Sequence, residues 1–131
     1  MAEYQAQLKL QPDNIRALNN LAFLLMKSSP QEAIQYAQRA TKLDPTNANA
    51  LDTLGQIQTE RGEFKDGIAT YRRANELAPK NPLIRYHLAV ALAKSGEKQL
   101  ARRELERLLA SYPNFEGEAD ARALLSQLPK S

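Results

Sequence analysis

The sequence predicts an all-α protein, an antiparallel helix-pair solenoid. Four prolines, Pro12, Pro45, Pro79 and Pro113, recur at spacings of 33, 34 and 34 residues along the chain of 131 residues. A fixed period of this length is typical of helical repeat arrays. Within each period a polar turn separates two runs of apolar residues at helical spacing, and no run alternates as a strand does. We therefore expect a single domain of three full repeats with a preceding half repeat and a C-terminal capping helix, residues 1–131.

The first repeat is predicted at residues 15–47. Apolar residues at helical spacing run to Leu25, and a short turn follows. Ser29 is expected to cap the second helix, because Glu32 stands three residues later as in a capping box. Pro30 then occupies the first helical position, where its missing N–H costs nothing.

The second and third repeats are predicted at residues 48–81 and 82–114. Gly62 and Gly96 interrupt the helical pattern of each repeat near its middle, where the chain must turn. An asparagine stands one or two residues after each of the four periodic prolines. Because asparagine is a preferred N-cap, we expect each of these residues to begin the next helix.

The two ends of the chain are predicted to differ. Residues 1–14 fit the end of a preceding repeat's second helix, with Tyr4 on a face that has no partner helix. A repeat cannot bury its apolar face alone, so we expect weak self-association through this N-terminal edge. Residues 115–131 are expected to form the cap, as a helix over 115–128 with a polar outer face. This favours a fragment of a longer repeat protein; a short natural protein with a frayed first helix is the alternative.

The composition excludes most catalytic chemistry. The chain has no cysteine and one histidine, which removes disulfides, thiolate nucleophiles and multi-histidine metal sites. The carboxylates lie among lysines and arginines at helix-surface spacing, and no glycines have the spacing of a phosphate loop. We therefore expect no catalytic residue, no cofactor and no metal ion, and a protein that is not an enzyme.

The charge pattern bears on nucleic acids and membranes. The net charge is +3. A basic cluster on one predicted helix comprises Lys98, Arg102, Arg103 and Arg107, and Glu104 and Glu106 are interleaved with it and neutralise the stripe. Without a clear basic stripe, nucleic-acid binding is not expected. The longest unbroken apolar run, residues 21–26, is far shorter than the ~20 residues that span a bilayer, so we expect no direct membrane insertion of this segment.

These features together resemble the tetratricopeptide repeat family. Its small positions, where two helices approach closely, hold Ala22, Gly55 and Ala89 on the first helices and Ala33, Gly67 and Ala101 on the second. The resemblance implies a scaffold that binds a protein or peptide in a concave groove lined by the first helix of each repeat. The implied groove residues are Arg16, Asn19, Asn20, Phe23, Met26, Asn49, Asp52, Thr53, Gln56, Leu83, Tyr86, His87 and Val90.

Within this implied groove, two kinds of contact are expected. Phe23 and Tyr86 are the expected apolar anchors, on a surface where exposed large groups would be hard to explain without a partner. Asn20, Thr53 and His87 share one position of the repeat and would offer one polar group per repeat to an extended backbone. The alternative is ordinary helix-surface polarity. For His87 no partner is evident from the sequence.

A second resemblance concerns the C-terminal part. The segment 102–128 is similar to the end of bacterial tetratricopeptide proteins linked to exopolysaccharide export and the PEP-CTERM/exosortase system. It shares the run 104–109, the turn 112–115 and the pair Leu124-Leu125. The resemblance implies a periplasmic or outer-membrane-associated assembly scaffold. A cytoplasmic adaptor of unknown pathway and an accessory domain of a larger enzyme are the alternatives.

Overall fold

The computed structural model describes residues 14–129, and within that range the chain is helical with short connections. The predicted half repeat and its self-associating edge, residues 1–13, lie outside the described residues. The helices are α1 (Ile15–Leu25), α2 (Pro30–Leu43), α3 (Ala48–Glu60), α4 (Phe64–Leu77), α5 (Pro82–Lys94), α6 (Lys98–Ser111) and α7 (Glu118–Gln127). Each helix packs against the next one along the chain, and α3 also contacts both α1 and α5. The all-α solenoid is therefore confirmed.

Asparagine caps begin the first helix of each repeat, as predicted. The side-chain oxygens of Asn14 and Asn47 each accept the backbone N–H three residues later at 3.0 Å, and that of Asn81 accepts the one two residues later. The prediction is wrong for Asn114, since α7 begins only after Gly117, which stands at its N-cap. Each of the three working caps satisfies one of the backbone donors that a helix start leaves unpaired.

The capping box predicted at the start of α2 is absent. Pro30 occupies the first turn as expected, but the Ser29 side chain makes no capping hydrogen bond. The backbone explains the difference. The ψ angle of Ser29 is 68°, whereas the capping residues Asn14 and Asn47 have ψ angles of 105° and 102°. We infer that this rotation keeps the Ser29 hydroxyl from the amides it would have to reach.

The turns within the second and third repeats depend on glycine. Gly62 and Gly96 have φ angles of 81° and 94°, in the left-handed region that side chains disfavour. After Gly62, the Glu63 N–H donates to the Gln58 carbonyl oxygen at 2.8 Å, and the same bond follows Gly96 at 2.9 Å. These bonds close the preceding helix in the manner of a Schellman motif. They reverse the chain so that the second helix of the pair packs back on the first.

The second helix pair crosses at two glycines. A Cβ atom on Gly67 would lie 2.6 Å from the Thr59 hydroxyl oxygen and 3.3 Å from the Gly55 carbonyl oxygen. A Cβ atom on Gly55 would lie 2.7 Å from the Tyr71 ring. Neither position has room for a side chain, which confirms the predicted close approach. The equivalent residues of the other repeats are fully buried alanines, namely Ala22, Ala33, Ala89 and Ala101.

The capping helix is shorter than predicted. It begins at Glu118 rather than at Phe115 and ends at Gln127. The chain turns at residues 115–117 and lays the Phe115 ring against the Tyr86 ring, with centroids 6.3 Å apart. This contact turns the start of the predicted helix into a bend that closes the C-terminal end of the array.

Arg102 fastens the capping helix to the repeat before it. Its guanidinium donates from Nη1 to the carbonyl oxygens of Leu125 at 3.3 Å and Leu128 at 3.2 Å. A cation at a helix C-terminus also interacts favourably with the helix dipole. Arg102, predicted only as part of a neutralised surface cluster, thus has a defined structural role.

We expect Ala101→Leu to destabilise the fold by about 1–3 kcal/mol, because Ala101 is fully buried where α6 crosses α5. Ala110→Leu, an exposed position on the same helix, is the matched control and should change little. Urea unfolding of the two variants provides the measurement. Equal stabilities would show that the packing at this crossing is wrongly described.

Arg102→Met should loosen the capping helix, since it keeps the apolar stem but removes the donors that hold two carbonyl oxygens. The expected loss is about 1–3 kcal/mol, the range for hydrogen bonds to charged groups. The neighbouring exposed Arg103→Met serves as control. Hydrogen exchange of residues 118–127 should accelerate in the first variant only; unchanged protection in both would contradict the assigned role.

Candidate functional site

A pocket of about 480 Å³ opens on the face formed by α1, α3 and α5. Two opposite walls come from α1 and α5, and the floor includes one residue of α4. The lining residues are Phe23, Leu24, Met26 and Lys27; Gln56, Thr59 and Glu60; Tyr71; and Tyr86, His87, Val90 and Lys94. Six of the predicted groove residues are among them.

Of two large apolar residues predicted to be exposed in the groove, Phe23 and Met26, only Phe23 is exposed. Phe23 is 56% exposed, as predicted for a residue on the wall of the groove. Met26 also lines the pocket, but the prediction that it is exposed is wrong, because only 7% of its surface is accessible. It ends α1 and packs with Leu25 and Ala33 in the core between the first two helices.

A smaller and more polar depression lies toward the N-terminal ends of α1 and α3. It takes three further predicted residues, Arg16, Asn19 and Asn49, together with Ile15 and Asn47. Its volume is about 310 Å³. The predicted groove is therefore divided into an apolar pocket and a polar depression rather than lined evenly.

The predicted row of one polar group per repeat is interrupted. Thr53 is only 5% exposed, so the expectation that it faces a ligand is wrong. Thr53 is buried because its helix, α3, packs against both α1 and α5, and these two helices cover its sides. Asn20 is half-buried and lines neither depression, so His87 alone of the three reaches the pocket.

His87 has a partner that sequence reasoning missed. Its Nδ1 atom lies 2.8 Å from Oδ1 of Asp52 on α3, which joins the second repeat to the third. The other carboxylate oxygen of Asp52 accepts a hydrogen bond from Nε2 of Gln56 at 3.0 Å. The spacing could have predicted this pair, because Asp52 and His87 are 35 residues apart, close to one repeat period, and both were assigned to the groove.

Tyr71 reaches the pocket from the second helix of its repeat. Its ring occupies the space that Gly55 leaves empty and lies 6.0 Å from the His87 ring, centroid to centroid. Burial raises the pKa of Tyr71 far above its usual value, the nearby Asp52 carboxylate adds to this, and a hydrogen bond with Thr59 partly opposes it. The phenol therefore stays neutral. Tyr71 was not among the predicted groove residues, because its access to the groove depends on the missing side chain at Gly55 of the neighbouring helix.

The C-terminal end of the groove is closed by the segment before α7. Tyr86 lies between the rings of His87, at 5.8 Å, and Phe115, at 6.3 Å. Burial raises the pKa of Tyr86, and the Asp120 carboxylate raises it further. The remaining predicted residue, Leu83, lies beside Gly117 of the same segment. Phe115 and Asp120 thus belong to the surroundings of the site although the sequence placed them in the cap.

The polar side chains of the rim leave a small positive excess. Lys27 and Lys94 line opposite walls of the pocket, and Glu60 lies on the helix between them. Neither lysine forms an ion pair with a residue in the described range. The Asp52 carboxylate is hydrogen-bonded to His87 and Gln56 and is not among the residues that line the pocket.

Between residues 14 and 129, no group of three or more His, Cys, Asp or Glu side chains is arranged to hold a metal ion. Over the same stretch, none of the helices has the length and apolar character needed to cross a membrane.

Known proteins resemble the chain in sequence and fold. A tetratricopeptide repeat profile matches residues 58–128. Cellulose synthase operon protein C of Pseudomonas fluorescens (strain SBW25) is 34% identical over 122 residues, which cover 86% of this chain but 10% of that protein. The type III secretion translocator chaperone SycD of Yersinia enterocolitica superposes with a TM-score of 0.77 at 25% identity, over 88% of this chain and 91% of that one. YrrB, a tetratricopeptide protein with an unusual peptide-binding site, shares the fold with a TM-score of 0.76 at 20% identity, over 93% and 62%.

The buried Tyr71 phenol makes stability depend on alkaline pH. An unfolded tyrosine ionises near pH ~10, whereas the folded protein holds the pKa of Tyr71 higher. Above that pH the unfolded chain releases a proton that the folded chain retains, so stability falls as pH rises, by at most about 1.4 kcal/mol per pH unit from this group. Tyr71→Phe should flatten this dependence, measured by urea unfolding between neutral and alkaline pH. Parallel curves for variant and wild type would contradict the burial of the phenol.

Proposed function

This chain belongs to the tetratricopeptide repeat family, and from that premise we propose that it is a non-enzymatic scaffold that binds a polypeptide segment along its concave face. The observation that carries the proposal is the apolar pocket with Phe23 on its wall. Pockets of this size, largely apolar with a few polar groups, are typical of ligand sites. A partner that covered Phe23 would remove a large apolar surface from water.

The arrangement of the two depressions favours an elongated ligand. The polar depression lies at the N-terminal ends of α1 and α3, and the apolar pocket lies toward the C-terminal ends of α1, α3 and α5. A segment that lay across both would meet Arg16 and Asn49 at one end and Phe23 at the other. An extended or helical polypeptide has the length and the mixed polarity that this surface requires, with Phe23 and Tyr86 as apolar anchors.

A second part of the proposal concerns the parent protein. The similarity to cellulose synthase operon protein C supports a role in the assembly or export of an exopolysaccharide, as one segment of a longer repeat protein. The PEP-CTERM association, the periplasmic or outer-membrane location and the self-association of the N-terminal edge remain proposals. A cytoplasmic adaptor and an accessory domain of an enzyme are the alternatives. The full-length gene separates the three: a lipoprotein signal supports export, no signal the adaptor, and a catalytic domain the enzyme.

Binding in the groove can be tested with peptides selected from a random library displayed on phage. Phe23→Ala should weaken the selected peptides about fivefold or more, because truncating an aromatic anchor typically costs more than ~1 kcal/mol. Leu43→Ala is the matched control, since Leu43 is 42% exposed at the end of α2, outside the groove. Fluorescence polarisation with the labelled peptides gives the affinities.

The proposal fails if the peptides bind Phe23→Ala as tightly as wild type while Leu43→Ala or another variant outside the groove abolishes binding. Tyr86→Ala is a less clean probe than the sequence suggested. Its ring also contacts Phe115, so truncating it disturbs the C-terminal end as well as the groove. Phe23 has the advantage that its side chain is largely exposed and its removal leaves the core intact.

A further inference from the structure

In its neutral form, His87 presents a hydrogen-bond acceptor to the pocket, because the neighbouring Asp52 carboxylate selects which ring nitrogen carries the hydrogen. A carboxylate oxygen can only accept, so in the 2.8 Å contact with Asp52 the hydrogen is on Nδ1 of His87. In the neutral ring Nε2 then carries a lone pair and no hydrogen. No side chain or backbone group within residues 14–129 donates to that nitrogen. Gln56 binds the other oxygen of Asp52, which keeps the carboxylate in place.

The surroundings of this acceptor are aromatic. The rings of Tyr71 and Tyr86 flank the His87 ring, with centroids 6.0 and 5.8 Å away. Phe23 contributes a largely exposed ring to the opposite wall of the same pocket. The Tyr71 hydroxyl already has Thr59 as its hydrogen-bond partner. A ring inserted between these walls would find the offset and tilted contacts that aromatic groups prefer, and a single unpaired acceptor.

We propose that the pocket takes an aromatic side chain that bears a hydrogen-bond donor, from a tyrosine or a tryptophan of the bound polypeptide, with its donor on Nε2 of His87. The inference rests on the proposed function and names the chemistry of the partner. An aliphatic side chain or a phenylalanine would leave Nε2 cut off from water without a donor, which costs free energy. A carboxylate or amide oxygen at this place would be repelled by Nε2, because both atoms carry lone pairs and neither carries a hydrogen.

The charge of the rim favours acidic residues beside that aromatic side chain. Lys27 and Lys94 on opposite walls outnumber Glu60, and neither is paired with a described residue. A segment with aspartate or glutamate on either side of the inserted ring would complement both lysines. The preferred ligand is therefore an acidic segment that contains tyrosine or tryptophan.

The histidine itself gives a direct test, because the chain has only one and its ring signals need no assignment. The probes are p-cresol, which mimics tyrosine, 3-methylindole, which mimics tryptophan, and 4-methylanisole, which matches p-cresol in shape without a donor. In mildly alkaline buffer, ¹⁵N spectra should show hydrogen on Nδ1 and none on Nε2. The Nε2 resonance should move on adding either donor probe and stay in place with 4-methylanisole.

The affinities should follow the same order. A net hydrogen bond makes p-cresol bind about three- to tenfold more tightly than 4-methylanisole, and His87→Phe, which keeps a ring but removes the acceptor, should abolish that ratio. If His87→Phe does not fold, the wild-type spectra and affinity ratio decide alone. Equal binding of the two probes, no binding of either, or hydrogen on Nε2 would overturn the inference. The proposed function would survive any of these results if library peptides still depended on Phe23, and would fail separately if they did not.

Discussion

At the crossing of α3 and α4, Gly55 and Gly67 leave no room for side chains, and the geometry of the groove depends on this close approach. The missing side chain at Gly55 leaves the space that the Tyr71 ring fills, so a residue of the outer helix becomes part of the inner surface. The Thr59 hydroxyl, which donates to the Gly55 carbonyl oxygen at 2.8 Å, then meets the Tyr71 side chain. A larger residue at this crossing would separate the helices and remove the floor of the pocket.

The second repeat supplies two residues, Asp52 and Tyr71, that position the His87 ring. Asp52 on α3 reaches His87 on α5, so the position of the histidine ring reflects the angle between two neighbouring repeats. Tyr71 supports the same ring from the adjacent outer helix. The surroundings of His87 are therefore assembled from parts of two repeats, and neither repeat contains them alone.

The sequence predicts the repeat period and three of the four asparagine caps from local rules about proline and asparagine, and the resemblance to the tetratricopeptide repeat family adds the close glycine positions. Positions that depend on neighbouring repeats were predicted less well. Thr53 is buried because its helix, α3, lies between α1 and α5, which a single repeat cannot reveal. Met26 is covered because the end of α1 packs on α2. The Asp52–His87 pair requires the register between repeats. The predicted start of α7 was wrong because it ignored the contact of the Phe115 ring with Tyr86, which lies at the bend before the helix and is distant in sequence.

The two glycine turns have a consequence for how such an array can vary. Around Gly62 and Gly96, apart from the glycine and its two chain neighbours, no heavy atom of the described residues lies within 4 Å of the place where a Cβ atom would stand, so both turns face open space. Extra residues inserted there would lengthen a surface loop without touching the helices that form the groove. Long insertions in surface loops add little closure entropy. Either turn could therefore accept a second binding element, a tag or a linker while the recognition surface stays unchanged.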